Sequence, residues 1–305
     1  MSCFHQLTAL LCQLALAGLI CATGCVTPRT KASKRQQLIH QLEQEMQVNT
    51  SWVRIHAAEA LIAHGVAEPV AASFAPEVNH VAPPYRMGVW RVMARAAQKP
   101  AERRKFIGQI HRVLLDANAA DRLHAAESLA KLGIADAADR SALEWWLASA
   151  DDASSVFPLW LNVLSARGDD RAKTEKRLAS LLESNDPVAR LRAASALGRI
   201  KPRAPETLWR LNQRLASEPA DSSARVYLIT ATLLQAKRNS PAAGKLKSQL
   251  AIYLEDGKPN EQLEAATVLG KCGLAKDLPA LTKLLNSSEA DARIGAASGS
   301  LYLLR

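Results

Sequence analysis

The sequence predicts an all-α solenoid of about eight helical hairpins stacked side by side. Two observations carry this expectation. The first is a small-residue pair that recurs as Ala57-Ala58, Ala125-Ala126, Ala193-Ala194, Ala265-Ala266 and Ala296-Ala297, followed each time by a leucine: Leu61, Leu129, Leu197, Leu269 or Leu301. The first members lie 68, 68, 72 and 31 residues apart, so two gaps are twice 34 and one is twice 36. Self-similarity at a period in the thirties is the mark of stacked repeats. The second is composition. Apolar residues make up 48% of the chain and aromatics only 5%, with Ala and Leu abundant, which suits closely packed helices.

Taken in chain order, the first element is an address. Leu7 to Cys25 reads LTALLCQLALAGLICATGC, without one charge, and turns polar at Thr27, Pro28, Arg29, Thr30 and Lys31. A short apolar core ending in small residues is the pattern of a secretory signal. Ala22-Thr23-Gly24-Cys25 resembles the lipobox of bacterial lipoproteins. In that family the Gly–Cys bond is cut and the cysteine becomes the lipid-bearing first residue. The resemblance implies a signal peptide over 1–24, lipidation at Cys25, a basic flexible tether over 25–34 and a solenoid over 35–305. It places the solenoid on the periplasmic side of the bacterial cell envelope, held to a membrane by its lipid. A non-lipidated secreted protein and an uncleaved helical anchor are the alternatives, the latter since nineteen uncharged residues just suffice to span a bilayer. Cys3, Cys12 and Cys21 fall in the segment that would be removed. Cys272 would then be the one thiol in the body, expected as a buried apolar side chain.

The remaining units lack the alanine pair but keep its register. Gly88-Val89 stands where the pair belongs in Arg86-Met87-Gly88-Val89-Trp90-Arg91-Val92. Trp160 leads to Gly168 as Ala125 leads to Gly133, and Arg225-Val226-Tyr227-Leu228 matches Arg190-Leu191-Arg192-Ala193. The series becomes 57, 88, 125, 160, 193, 228, 265 and 296, with steps of 31, 37, 35, 33, 35, 37 and 31. About 35 residues accommodate two helices of three to four turns and two tight turns. In the clearest unit, Thr174 to Leu182 is the first helix and Val188 to about Ile200 the second. Asp186 caps the second helix and Pro187 occupies its first turn, where a missing N–H costs nothing. Pro69 to Pro84, with Pro76 and Pro83, is expected to interrupt regular stacking. The small pair lets second helices approach closely, and neighbouring units bury the apolar face that one hairpin cannot bury alone.

These residues resemble HEAT repeats of the short bacterial type, also found in phycobilin-lyase-like proteins. Asp186-Pro187-Val188-Ala189-Arg190-Leu191-Arg192-Ala193-Ala194-Ser195-Ala196-Leu197-Gly198 matches that family's second helix. Gly273 to Leu281 followed by Asp291-Ala292-Arg293-Ile294-Gly295-Ala296-Ala297 matches a turn, a first helix and the next second helix. The resemblance covers about Arg35 to Arg305 and implies an armadillo-like superhelix. It also implies that the second helices line a concave face that commonly binds another protein.

Candidate functional residues sit on those second helices. His56-Ala57-Ala58-Glu59 and His124-Ala125-Ala126-Glu127 repeat one tetrapeptide, with His and Glu on one helix face. A zinc site needs at least three protein ligands at one point and the HExxH spacing is absent, so solvated or salt-linked positions are expected. Arg54, Arg86, Arg122, Arg190, Arg225 and Arg293 recur near the starts of second helices. They could form an anion-binding stripe or pair with acids such as Asp121, Asp186, Asp221 and Asp291. Trp90 and Trp160, in units without the alanine pair, are the candidates for exposed concave contacts.

Lys plus Arg number 39 against 29 Asp plus Glu, a net charge of +10, which favours anionic partners. The charges are dispersed and no RNA-binding aromatic motif or recognition helix occurs, which argues against nucleic acid. No phosphate-cradling Gly-rich loop, GxSxG elbow or Cys–His pair is present, so neither cofactor nor metal is expected. The expected role is a non-catalytic scaffold that binds another protein at the envelope. The alternatives are a polyanion or lipid-headgroup binder using the arginines and, more remotely, a chromophore-lyase-like enzyme. The apolar run Leu301-Tyr302-Leu303-Leu304 has no polar capping unit after it, so dimerisation through the last repeat, or a local cover, is expected.

Overall fold

The computed structural model describes residues 28–79, 81–136, 139–200 and 204–305. The signal peptide expected over 1–24 and the lipid site expected at Cys25 lie outside the described residues. These fall into two compact units, residues up to Gln37 and Leu38–Arg305. Everything below concerns the second.

Among the described residues there are sixteen α-helices, short 3₁₀ turns and no strand. They alternate between an outer and an inner layer. The outer helices are α1 (Pro28–Val48, which contains the boundary between the units), α3 (Glu68–Phe74), α5 (Pro100–Leu115), α7 (Arg140–Leu147), α9 (Gly168–Ser180), α11 (Pro205–Ser217), α13 (Pro241–Asp256) and α15 (Leu278–Leu284). The inner helices are α2 (Ser51–Ala63), α4 (Tyr85–Ala96), α6 (Arg122–Leu132), α8 (Asp152–Ser165), α10 (Pro187–Arg199), α12 (Ala224–Gln235), α14 (Pro259–Cys272) and α16 (Ala290–Leu303). Each inner helix contains one of the eight predicted positions, from Ala57 to Ala296.

Local chemistry sets the ends of these helices. The Asp186 carboxylate accepts the Val188 N–H at 2.8 Å and Pro187 opens α10. Pro100, Pro205, Pro241 and Pro259 open α5, α11, α13 and α14 in the same way. Gly133 ends α6 with φ +68°, a left-handed conformation that glycine adopts without strain. Helix α9 starts at Gly168, earlier than the Thr174 expected, with Asp169 and Asp170 favouring its first turn. Helix α1 starts at Pro28, inside the stretch expected as a tether; the run of Lys, Arg, Gln and Ala that follows favours helix. The proline-rich stretch shortens α3 to seven residues, and a 3₁₀ turn at Ala75–Glu77 follows it.

All ten residues of the alanine pairs are 0% exposed. They sit where each inner helix meets its neighbours, and α2 packs on α4, α4 on α6 and so on to α16. Helices α14 and α16 come closest. Gly270, Gly295 and Gly299 line their contact, and a Cβ at Gly295 would stand 2.8 Å from the Leu263 Cα.

The series then closes. Helix α16 packs against α2. Ile294, Ala297 and Leu301 share one buried cluster with Leu38, Leu42, Met46, Ile55 and Leu61. Glu45 takes Arg293 in a two-pronged ion pair at 2.5 and 2.9 Å. His56 Nδ1 lies 2.9 Å from the Asp291 carboxylate, and Gln41 donates to the Leu285 carbonyl at 3.1 Å. Of the two expectations for the apolar last repeat, the structure shows the local cover. Leu301 is fully buried and Leu304 partly so, because residues of α1 and α2 cover them. The solenoid of Leu38–Arg305 is a closed ring of eight hairpins, not an open superhelix.

Candidate functional site

A closed ring of hairpins gathers one face of every inner helix around one space. That space is a cavity of about 880 Å³, and all eight inner helices contribute to its wall. The wall has a repeating logic. His56, Glu59 and Ala63 on α2 line it, as do His124, Glu127 and Lys131 on α6, Arg192, Ser195 and Arg199 on α10, and Glu264, Thr267 and Lys271 on α14. Each set follows i, i+3, i+7 spacing, which is one stripe of a helix. The stripe begins one residue before the alanine pair, so the same pair that packs the layer aims these side chains inward.

Two charge networks occupy the wall. Arg91, itself 2% exposed, donates Nε to Glu59 at 2.7 Å and Nη1 to Ser128 at 2.9 Å. Arg95 donates to the same Glu59 oxygen at 3.2 Å and to the Lys131 carbonyl at 2.9 Å. Lys131 pairs with Glu127 at 2.7 Å, and His124 lies 3.4 Å from the other Glu127 oxygen. Burial alone would raise the Glu59 pKa, but the charges of Arg91, Arg95 and Lys131 overrule it and hold Glu59 at about 2. Glu127 is likewise held well below its ordinary value: burial works against this, and Lys131, His124 and Arg91 prevail. In the second network Arg199 donates to Glu264 at 3.3 Å and Thr230 donates to its other oxygen at 3.1 Å.

The candidate residues read from sequence divide by position. His56, Glu59, His124, Glu127 and Trp160 line the cavity. His56 pairs with Asp291 across the closure and Trp52 lies against the His124 ring at 5.5 Å. Trp160 is only 3% exposed, so it forms wall and not an exposed anchor, and Trp90 gives its indole N–H to the Val78 carbonyl at 3.1 Å. The six arginines at the helix starts lie outside the cavity lining and are engaged within the chain. Arg54 pairs with Glu77, Arg86 with Asp121 at 2.7 Å, and Arg190 with Glu218 at 3.0 Å. Arg122 donates to the Leu114 carbonyl at 2.8 Å, Arg225 to the Glu218 carbonyl, and Arg293 to the Ser287 carbonyl at 2.8 Å. Arg190 also donates to the Ser184 carbonyl at 2.9 Å, so Arg122, Arg190, Arg225 and Arg293 all reach back to the end of the preceding outer helix or its turn and satisfy carbonyls that lack helical partners.

Sequence reasoning missed the cavity's main cations. Arg95, Lys131, Arg199 and Lys271 each fall in the last turn of an inner helix. The signal was present, because Lys131, Arg199 and Lys271 all stand six residues after the first alanine of a pair. Cys272, next to Lys271, is partly buried, and burial pushes its thiol pKa up. Among the described residues no cluster of three His, Cys, Asp or Glu side chains could hold a metal ion, and no helix is long and apolar enough to cross a membrane.

Fold and wall together define a helical-repeat protein whose inner helices surround a charged cavity. No family model and no curated protein matches the chain. A solved structure described as an engineered protein is similar over 90% of this chain and 85% of its own, at 19% identity and a TM-score of 0.34.

Proposed function

We propose that this chain is a non-catalytic HEAT-type scaffold that grips a segment of a partner protein in the cavity of its ring, and that a lipid on Cys25 holds it at the bacterial cell envelope. The observation that carries the reading is the convergence of all eight inner helices on one cavity of about 880 Å³. That volume lies in the range of roughly 300–1,000 Å³ that encloses small ligands. It admits a few residues of extended chain and excludes a folded domain. A wall built from paired helices costs little ordering on binding. The polyanion reading through the helix-start arginines loses support, because all six guanidiniums already serve internal partners.

The test is site-specific photo-cross-linking in intact cells. A photoreactive residue at Ser195 or Thr267, both on the cavity wall, is expected to trap a protein, whereas one at the outer, 57% exposed Trp209 is not. Adducts from Trp209 alone, or none from the wall, would overturn the proposal. Export is checked separately: a fatty-acid label is expected on the wild-type chain and lost in Cys25→Ser.

A further inference from the structure

The cavity wall carries more positive than negative charge, and the excess has a place. Arg95, Lys131, Arg192, Arg199 and Lys271 line it against Glu59, Glu127 and Glu264. Each carboxylate is already occupied: Glu59 by Arg91 and Arg95, Glu127 by Lys131 and Glu264 by Arg199. Among the described residues, Lys271 and Arg192 have no carboxylate within 4.0 Å. The Lys271 ammonium lies 5.6 Å from the Tyr302 ring centroid, and Arg192 gives one N–H to the Ala153 carbonyl at 3.0 Å and lies over Phe157.

A structural account explains part of this. A cation in the last helical turn complements the negative end of the helix dipole. That accounts for one basic residue per helix, but not for four lining the same cavity. There they press on one another. Burial lowers the Lys271 pKa, and the charges of Arg199 and Arg95 lower it further against the opposing pull of Glu264. Burial also leads the depression at Lys131, where Arg91 and Arg199 add to it and Glu127 and Glu59 oppose it. Like charges that their carboxylate partners compensate only in part weaken the free protein and are relieved by an anion.

The remainder of the wall narrows the choice of anion. Phe157, Trp160, Leu164, Leu191, Tyr227 and Leu263 form apolar surface, and the three carboxylates would repel a ligand charged along its whole length. The fit is to a short segment with acidic groups at one end and apolar side chains behind. We propose that Lys271, the one of these four cations without a carboxylate partner, together with the ion-paired Arg95, Lys131 and Arg199 of the same wall, seats the carboxylates of an acidic–apolar polypeptide segment, with its apolar part against the aromatic wall. This deepens the reading of the ring as a gripper of a protein segment and rests on it.

The experiment is calorimetric titration of the full chain with a capped peptide of three glutamates followed by three leucines, its glutamine-for-glutamate twin, and tripolyphosphate. The acidic peptide is expected to bind at least tenfold more tightly than its twin. Lys271→Gln and Arg199→Gln should each lose about tenfold, and Lys271→Arg should keep wild-type affinity. Removing Lys271 relieves repulsion, so Lys271→Gln should melt no lower than wild type, and weakened binding there cannot be ascribed to unfolding. Equal affinity for the two peptides, or an acidic peptide indifferent to Lys271→Gln, would sink the inference. Tripolyphosphate binding more tightly than the acidic peptide, and lost in the same variants, would assign the cations to phosphate and overturn the peptide claim. A cross-link from Ser195 that persists while the acidic peptide fails would leave the protein-gripping role standing and reject only its acidic chemistry.

Discussion

Among the described residues, Arg91 heads the large side chains that the fold buries almost completely. A guanidinium so placed needs its hydrogen bonds, and Glu59 at 2.7 Å and Ser128 at 2.9 Å supply them from the inner helices on either side. Removing one partner of a buried pair leaves the other charge stranded, at a cost of roughly 3–5 kcal/mol. Glu59→Gln is therefore expected to destabilise the chain by about 3 kcal/mol. The double variant Glu59→Leu, Arg91→Met removes both charges and should cost less than either single change. Urea denaturation of the three variants would check the order. The same pair fixes an acid sensitivity. The Glu59 pKa falls from 4.5 unfolded to about 2 folded, so its contribution, about 3 kcal/mol, is complete above pH 4.5 and disappears as pH falls to about 2. Stability measured from pH 5 to pH 2 should drop more steeply in the wild type than in Glu59→Gln; parallel slopes would show that Glu59 is not the responsible group.

Helix contacts decide how near two inner helices come, and there the small residues act. Gly270 and Gly299 face each other between α14 and α16, and a Cβ on Gly270 would overlap the Gly299 backbone. Neither helix can yield without disturbing Ala266 and Leu281, which pack around Gly299. Gly299→Ala is expected to cost about 1–3 kcal/mol through overpacking. Gly244→Ala, with nothing within 4 Å of the added carbon, should instead stabilise α13 by about 0.5–1 kcal/mol. Thermal melting of the two variants should move in opposite directions. At this scale the sequence was largely readable. The alanine pair is a local requirement of close packing, so it marked every inner helix where it occurs, and the His-x-x-Glu positions beside it do line the cavity. The cations at Arg95, Lys131, Arg199 and Lys271 went unread for a different reason. A basic residue near a helix end suits the dipole on any helix, and only the curvature of the stack decides whether it meets three others or faces bulk water.

That curvature belongs to the whole ring, and no single repeat encodes it. Eight hairpins close a circle if each turns by about 45°, the kind of small per-repeat rotation that sets solenoid curvature. An error of a few degrees per step would leave the ends apart, with the same helices and the same buried alanines. What distinguishes the closed form is one seam, where Leu301, Ala297 and Ile294 meet Leu42, Met46 and Leu61 and where Glu45 holds Arg293. In an open stack the last repeat has one neighbour and frays first, because stability is roughly a sum of nearest-neighbour terms. In a ring no repeat is last. Leu301 and Leu197 are the leucines that follow the alanine pair in their repeats, five residues after its first member in one and four in the other, and both are 0% exposed. Leu301→Ala is therefore expected to cost as much as Leu197→Ala, each about 2–5 kcal/mol, and to lower a single cooperative urea transition. A nearly silent Leu301→Ala beside a damaging Leu197→Ala would mean that the seam opens in solution. The cavity would then lose its α2–α16 side, and with it the confinement that brings Lys271 and Arg95 within reach of each other's charge.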